Sequence, residues 1–384
     1  MKEFDKYKSV GLNGDFEILI GSNKSCTICL TEKEVPGIAK KHAILKRIRD
    51  RLFIQDFNSK SGTFIDNRRL PKNNWEEIVQ QGFKEIRLGN TPIGIDDQLF
   101  RGRPRIGIKT TKLYYDISGK IACNGAYIQA KPGTMTAIMG PAGCGKSILL
   151  DLINGYRTPN TGEVYVVRDN VSINVHKDYQ IVREWLGYLP QDDVMIPELT
   201  VYQSLNYCLR LQFTRLSQQI REYIIRQTCQ NLGFVQARLE KFLHTVIGSS
   251  ESGIHGLSGG ERKRANLAHE LISMPLALLL DEPTSGLSSV DADKIVRLLQ
   301  KLTQLDDLTT IATIHQPSKD TFERFDNLLL MNYGGNMVYY GPTSQSVAYF
   351  ESITETTNTD RNPAEYLLEI LDDENHNKKI IKKL

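Results

Sequence analysis

Hydrophobic positions along this chain follow two different rhythms. From Met1 to about Ile95 they alternate with polar residues in short segments, such as Phe16-Glu-Ile-Leu-Ile20, Ala43-Ile-Leu-Lys-Arg47 and Leu52-Phe-Ile-Gln-Asp56, broken by turn residues. A period of two puts the apolar side chains on one face of a strand, so residues 1–95 predict an all-β sandwich. Farther on, the apolar runs become continuous or helical. Met135-Thr-Ala-Ile-Met139 and Leu276-Ala-Leu-Leu-Leu280 read as buried strands, and Ile148-Leu-Leu-Asp-Leu-Ile153 reads as a helix. Thr200-Val-Tyr-Gln203 has the form of a capping box. It opens a helix with Val201, Leu205, Cys208, Leu209 and Phe213 on one face. Residues 96–105 mix charge, Gly and Pro without a period and read as a linker.

The chemistry begins between the first buried strand and its helix. Gly140-Pro-Ala-Gly-Cys-Gly-Lys-Ser147 matches the phosphate-loop pattern G-x-x-x-x-G-K-[ST] in full. Glycines at 140, 143 and 145 let backbone N–H groups close around phosphates, and the following helix adds its positive dipole end. Within this loop Pro141, Ala142 and Cys144 supply backbone, Lys146 is expected to reach the β- and γ-phosphates, and Ser147 to ligate Mg²⁺. The run Leu276–Leu280 delivers Asp281 and Glu282 at the carboxyl end of a parallel strand, where open α/β sheets bind ligands. Asp281 is a candidate Mg²⁺ ligand and Glu282 a candidate general base for an attacking water.

Leu257-Ser-Gly-Gly-Glu261 narrows the field. Together with the phosphate loop it resembles the ATP-binding cassette family, over about Ile106 to Leu371. The resemblance implies an α/β domain with a RecA-like core and a helical subdomain. It also implies that ATP lies between the phosphate loop of one copy and Ser258, Gly259 and Gly260 of another. Gln191 matches the family's Mg²⁺-contacting glutamine, and His315 in Thr313-Ile-His-Gln-Pro317 matches its switch histidine. Tyr115 is the residue chosen to stack on adenine, with Tyr114 beside it as the alternative. Two positions depart from the pattern. Ser288 stands where the family has an aspartate after Ser285-Gly-Leu287, and Ile148 stands where a second hydroxyl follows the loop.

The flanking segments resemble the white/G-type exporters: Ser258-Gly-Gly-Glu-Arg-Lys-Arg264, Glu282-Pro-Thr-Ser-Gly-Leu287, Tyr340-Gly-Pro342 and Asn362-Pro-Ala-Glu-Tyr-Leu-Leu368. This implies an ABC-2-type membrane partner, on the same chain or separate, and hydrophobic or lipid-like cargo. A soluble remodelling ATPase and a phospho-signalling adaptor are the alternatives.

The front segment has its own resemblance. Gly21, His42 and Asp56-Phe-Asn-Ser-Lys-Ser-Gly-Thr-Phe-Ile65 resemble a forkhead-associated domain, a reader of phosphothreonine. The phosphate-reading positions have changed. Ser22 replaces an arginine, Ala39-Lys40-Lys41-His42 replaces Ser-Arg-x-His, and Ser61 replaces an asparagine. Ser22, Lys40, Ser59 and Ser61 are the remaining loop candidates, and His42 is expected to buttress the loops. A dianionic phosphate is best held by a bidentate guanidinium.

Composition adds limits. With 384 residues the chain is long enough for two cores. Lys+Arg 48 against Asp+Glu 45 gives a net charge of +3, too balanced to argue for nucleic acid. No apolar run reaches bilayer length and Met1 opens no signal peptide, so the expected place is the cytoplasmic face of a membrane. Cys26 and Cys29 have metal spacing without a second pair, and packing is the expectation. Cys144 is expected to be oxidation-sensitive if the phosphate loop lowers its pKa. Residues 372–384 form a basic tail, read either as a solvated, disordered terminus or as a juxtamembrane segment.

Overall fold

The computed structural model describes residues 16–383 apart from 49–50, 79–84, 94–104, 169–170, 193, 214–215, 217, 250–252 and 358–360. Residues 96–104 of the expected linker therefore lie outside the described residues. Contacts divide the chain into two units, Met1–Pro104 with Leu216–Tyr223, and Arg105–Arg215 with Ile224–Leu384.

In the first unit the alternating segments become strands of two sheets. One runs Ile28–Cys29, Phe16–Gly21, Ala43–Ile48, Arg51–Asp56 and Trp75–Ile78. The other runs Arg68–Arg69, Thr63–Ile65, Ile86–Leu88 and Thr91–Ile93. Pairing puts Leu45 opposite Ile54 and Ile65 opposite Ile86, and these residues share one buried core with Ile20 and Leu88. The all-β sandwich is as the alternation predicts. Leu216–Tyr223, placed by the sequence reading in the second domain, is grouped with this unit, and the Tyr223 hydroxyl accepts from the Glu77 N–H at 3.1 Å.

The second unit is built on an eight-stranded sheet. Its order is Leu113–Ile117, Lys120–Ala126, Asn336–Pro342, Asn327–Asn332, Met135–Met139, Thr309–Thr313, Ala277–Leu280 and Leu186–Leu189. The strands from Asn327 through Leu189 in that order are parallel to one another. Every residue of Met135–Met139, Ala277–Leu280 and Thr309–Thr313 is buried, and in the last strand the buried Thr309, Thr310 and Thr313 hydroxyls are hydrogen-bonded. A four-stranded antiparallel sheet, Gln129–Ala130, Ile106–Thr110, Val164–Arg168 and Val171–Asn174, completes the core. The helix Val201–Gln212 carries the expected reciprocal cap between Thr200 and Gln203, and buries Val201, Leu205, Cys208 and Leu209.

The tail differs from its first expectation. Residues Glu374–Lys383 form a helix, not a disordered terminus. Ile380 is buried, and Asn332 Nδ2 donates to Asn377 Oδ1 at 2.6 Å, so both apolar and polar contacts fix it. No helix among the described residues is long and apolar enough to cross a membrane.

Candidate nucleotide site

The phosphate loop leaves the strand Met135–Met139 and ends in the helix Lys146–Asn154. Glycine is obligatory at its ends. A Cβ on Gly140 would lie 2.3 Å from the Met331 carbonyl oxygen, and one on Gly145 would lie 2.1 Å from that of Ala122. Gly145 also caps the helix at φ 104°, a conformation open to glycine. Lys146 is buried, and its Nζ donates to the carbonyls of Gly140 (2.9 Å) and Pro141 (3.0 Å). The loop thus wraps its own ammonium.

Asp281 and Glu282 follow the strand Ala277–Leu280 and share one partner. The buried Thr313 hydroxyl donates to Asp281 Oδ1 at 2.6 Å and accepts from the Glu282 N–H at 2.7 Å. Glu282 is held at φ 46°, a left-handed conformation uncommon for a residue with a side chain. Its carboxylate accepts from Gln191 Nε2 at 3.3 Å, and the Gln191 carbonyl accepts from Lys263 Nζ at 3.1 Å. His315 follows Thr313. Two residues beyond it, the Pro317 carbonyl accepts from Asn362 Nδ2 at 2.8 Å, while Asn362 Oδ1 caps the helix Pro363–Asp372.

These groups converge. A cavity of about 680 Å³ is lined by Ala142, Gly143, Gly145, Lys146, Ser147 and Ile148 on one side. Gln191, Glu282, Thr284, Ser285, Gly286 and His315 line the rest. The structure therefore brings together the loop, the glutamine, the carboxylate and the histidine singled out from sequence. Thr284, Ser285 and Gly286 were not anticipated there, and Thr313 was not anticipated as the joint between the two carboxylates.

Other candidates lie elsewhere. Ser258, Gly259 and Gly260 do not line this cavity. Ser258 caps the helix Gly259–Leu271, accepting from the Glu261 N–H and donating to Glu261 Oε2 at 2.8 Å. Ser288, standing for the family aspartate, caps the helix Ser289–Asp306, and its hydroxyl donates to Asp291 Oδ2 at 3.0 Å. Tyr115 is half-buried against the core and its hydroxyl accepts from Arg157 Nη1 at 3.4 Å. Of the adjacent pair it is Tyr114 that presents an exposed ring, at 40%. Neither tyrosine lines the cavity.

Cys144 corrects an expectation. It is 1% exposed, and burial pushes its thiol up, outweighing the nearby Lys146 charge. A buried neutral thiol is a poor oxidation target. Cys26 is buried and Cys29 exposed, and no metal-binding cluster occurs among the described residues.

In the first unit His42 is fully buried. Its Nδ1 accepts from the Ala39 N–H at 3.2 Å, so the proton sits on Nε2 and is donated to the Gly62 carbonyl at 3.1 Å. It ties two loops together. Ser59 is removed from the phosphate-reading candidates. It is 1% exposed, its hydroxyl donates to Asp56 Oδ2 at 2.7 Å, and its oxygen accepts from the Gly62 N–H at 2.9 Å. The Ser61 hydroxyl donates to the Gly37 carbonyl at 2.7 Å. Ser22 and Lys40 are exposed.

Comparison with known proteins agrees with both units. Residues 123–285 match a family model described as ABC transporter, residues 18–89 one described as FHA domain, and residues 315–383 one described as ABC-2 type transporter. ABC transporter G family member 22 of Arabidopsis thaliana is 38% identical over 62% of this chain and 30% of its own length. ABC transporter G family member 1 of Dictyostelium discoideum is 34% identical over 62% of this chain and 29% of its own. The matched stretch spans about a third of the length of such curated relatives. Among solved structures, cbiO1 from Clostridium perfringens, part of the ABC transporter complex cbiONQ, superposes with a TM-score of 0.55. It is 27% identical, over 65% of this chain and 94% of that one.

Proposed function

We propose, for a chain that carries the ATPase domain of a G-type ATP-binding cassette transporter behind a forkhead-associated domain, that it powers transport by hydrolysing ATP between two copies of itself. The observation that carries this is the cavity where Lys146, Ser147, Gln191, Glu282 and His315 meet. Backbone N–H groups of Gly143 and Gly145 and the Lys146 ammonium would hold phosphates. Lys146 would exchange two neutral carbonyls for phosphate oxygens, a gain in charge complementarity.

Magnesium fits the donors at hand. Ser147 and Gln191 line the cavity, and Asp281, buried beside the lining residue Glu282 with its Oδ1 taken by Thr313, would add a single carboxylate, so the set would offer hard oxygens. Such a set suits an ion that keeps water and phosphate ligands instead of taking an all-protein cage. When bound, Mg²⁺ would neutralise charge developing on the phosphates. Glu282 would orient and deprotonate the attacking water, and His315 would hold the terminal phosphate. Gln191, already donating to Glu282, would set the carboxylate's direction. Ser258 and Gly260 of the second copy would close the open side, since neither lines the cavity of its own chain.

Coupling to a membrane domain is supported by the match over residues 315–383 and by surface chemistry. Val194 and Ile196, just beyond Gln191, are exposed, and so are Tyr207 and Leu211 on the outer face of Val201–Gln212. These apolar residues suit docking of a partner helix. We read the forkhead-associated domain as a regulatory protein-binding module. Phosphothreonine recognition there would rest on Ser22, Lys40 and Ser61, without a guanidinium at the family position.

Replacing Glu282 with Gln tests the central claim. Turnover should fall by about 100-fold or more, the loss typical of a general base, and the variant should dimerise when MgATP is added. Hydrolysis at the wild-type rate would remove Glu282 from the role.

A further inference from the structure

One partly buried polar cluster in the second unit takes no part in the functions above. Asp151 sits on the helix that follows the phosphate loop, with its carboxylate 15% exposed. Both its oxygens are used. Oδ1 accepts from the Tyr188 hydroxyl at 3.1 Å, and Oδ2 accepts from Arg157 Nε at 2.9 Å. Arg157 continues outward to the Tyr115 hydroxyl. Its carbonyl accepts from His176 Nε2 at 2.8 Å.

Tyr188 is the informative member. It lies on the strand Leu186–Leu189, three residues before Gln191. Its backbone N–H donates to Glu270 Oε2 at 3.1 Å, on the helix that begins at the Leu257-Ser-Gly-Gly-Glu261 turn. Its hydroxyl reaches in the other direction, to the phosphate-loop helix. One residue therefore ties together the helix behind the phosphates, the helix behind Ser258, and the strand that leads to the glutamine. Burial and the Asp151 charge both push the phenol up, so it remains a donor.

We propose that Asp151 and Tyr188 are positioning residues for ATP hydrolysis, forming a joint that fixes Gln191 relative to the phosphate loop. The proposal rests on the hydrolysis reading given above. Its logic is geometric. Gln191 meets Glu282 through a single bond at 3.3 Å, and it is exposed together with Asp192 and Val194 after it, while Leu189 before it is buried. A long bond of this kind is directed only if the strand behind it is fixed. The Asp151 carboxylate fixes it through a side chain that phenylalanine would match in shape but not in hydrogen bonding.

The test uses the full chain and three variants: Tyr188→Phe, Asp151→Asn, and the two combined. Tyr188→Phe should lower kcat about tenfold, the loss expected of one hydrogen bond to a charged group. The KM for ATP should stay within about twofold, because the phosphate loop is untouched. Asp151→Asn should lower kcat at least as far, and the double variant should fall no lower than Asp151→Asn alone, because the two act through one bond. A merely structural role would lower thermal stability and leave kcat per folded molecule unchanged. Wild-type turnover with unaltered kcat in Tyr188→Phe overturns the joint alone. A wild-type chain that binds MgATP without hydrolysing it, alone or with a membrane partner, overturns the hydrolysis reading and the joint with it.

Discussion

Replacing Thr313 with valine is the sharpest probe of how the carboxylate pair is held. Valine keeps the shape of threonine and removes only the hydroxyl. That hydroxyl is buried and makes two bonds at once, to Asp281 Oδ1 at 2.6 Å and from the Glu282 N–H at 2.7 Å. A hydrogen bond to a buried carboxylate contributes about 1.5–3 kcal/mol, and an orphaned buried N–H costs about 1–3 kcal/mol. The two losses share one atom and are not independent, so about 3 kcal/mol is the expected destabilisation of the second unit. The effect on rate has a separate origin. Holding Glu282 at φ 46° costs about 1–3 kcal/mol, and the Thr313 oxygen is the acceptor that fixes its amide. Once released, the backbone relaxes and the carboxylate leaves the cavity wall for most of the time. A shift of about 1.4 kcal/mol corresponds to tenfold in rate, so kcat should fall by about tenfold or more. Thr313→Ser is the control. It loses a buried methyl, costing roughly 1 kcal/mol, but keeps both bonds and should keep its turnover. Thermal unfolding and steady-state ATPase assays on the three proteins separate the effects. A valine variant that melts with the wild type and hydrolyses within twofold of it would refute the reasoning.

Thiol chemistry should follow burial, not motif membership. Only Cys29 is exposed among the six cysteines, while burial raises Cys123 to about 11 and Cys229 to about 12. Titration of the native chain with an aromatic disulfide should show one fast-reacting thiol, and its modification should leave MgATP binding unchanged. Rapid reaction at Cys144 would contradict the packing of the phosphate loop. His42 gives the first unit a defined acid sensitivity. Burial lowers its pKa in the folded state, so the unfolded chain takes up the proton first. Stability should be constant above the ordinary histidine value of about 6.5, fall as pH drops below it, and level off once pH passes the lowered folded value. NMR titration of the His42 ring should show no protonation near pH 6.5, and a midpoint at or above that value would refute the assignment.

How much of this was legible in the sequence depends on whether the signal was local. The phosphate loop was readable because strand, glycines, lysine and helix are contiguous, and Gly140 and Gly145 are demanded by backbone contacts at each end. The Asp281–Glu282 pair was readable because an apolar run ends there. Thr313 was not, since its role lies in a side chain that reaches a strand 32 residues earlier in sequence. The two tyrosines could not be separated by pattern, because neighbouring residues of a strand face opposite ways. Pairing decides it. Tyr115 lies opposite Cys123, a core residue, and is drawn inward to Arg157. Ser59 illustrates the reverse error. A serine in a phosphate-reading motif looks available, yet the buried Asp56 takes its hydroxyl proton and Gly62 its oxygen.

The proposed site is therefore unevenly prepared on its two faces. The cavity face is built before any second copy arrives: Lys146 is enclosed, Glu282 is anchored by Thr313, and Gln191 is directed at Glu282. The face that would come from the partner is not. Ser258 is closed on itself, donating to the Glu261 carboxylate that also accepts its N–H. To meet a phosphate oxygen, this hydroxyl must leave an anionic acceptor for another anionic one. That exchange is near neutral in hydrogen bonding, and the helix Gly259–Leu271 keeps its dipole throughout. In the proposed dimer, closure would then be driven by charge and by excluded water, not by a new serine bond. Glu261→Gln should accordingly favour the ATP-bound dimer by removing a negative charge from the approaching face. Analytical ultracentrifugation at fixed MgATP measures this, preferably in the slowly hydrolysing Glu282→Gln background. A dimer constant unchanged or weakened by Glu261→Gln would show that the Glu261 charge does not oppose closure.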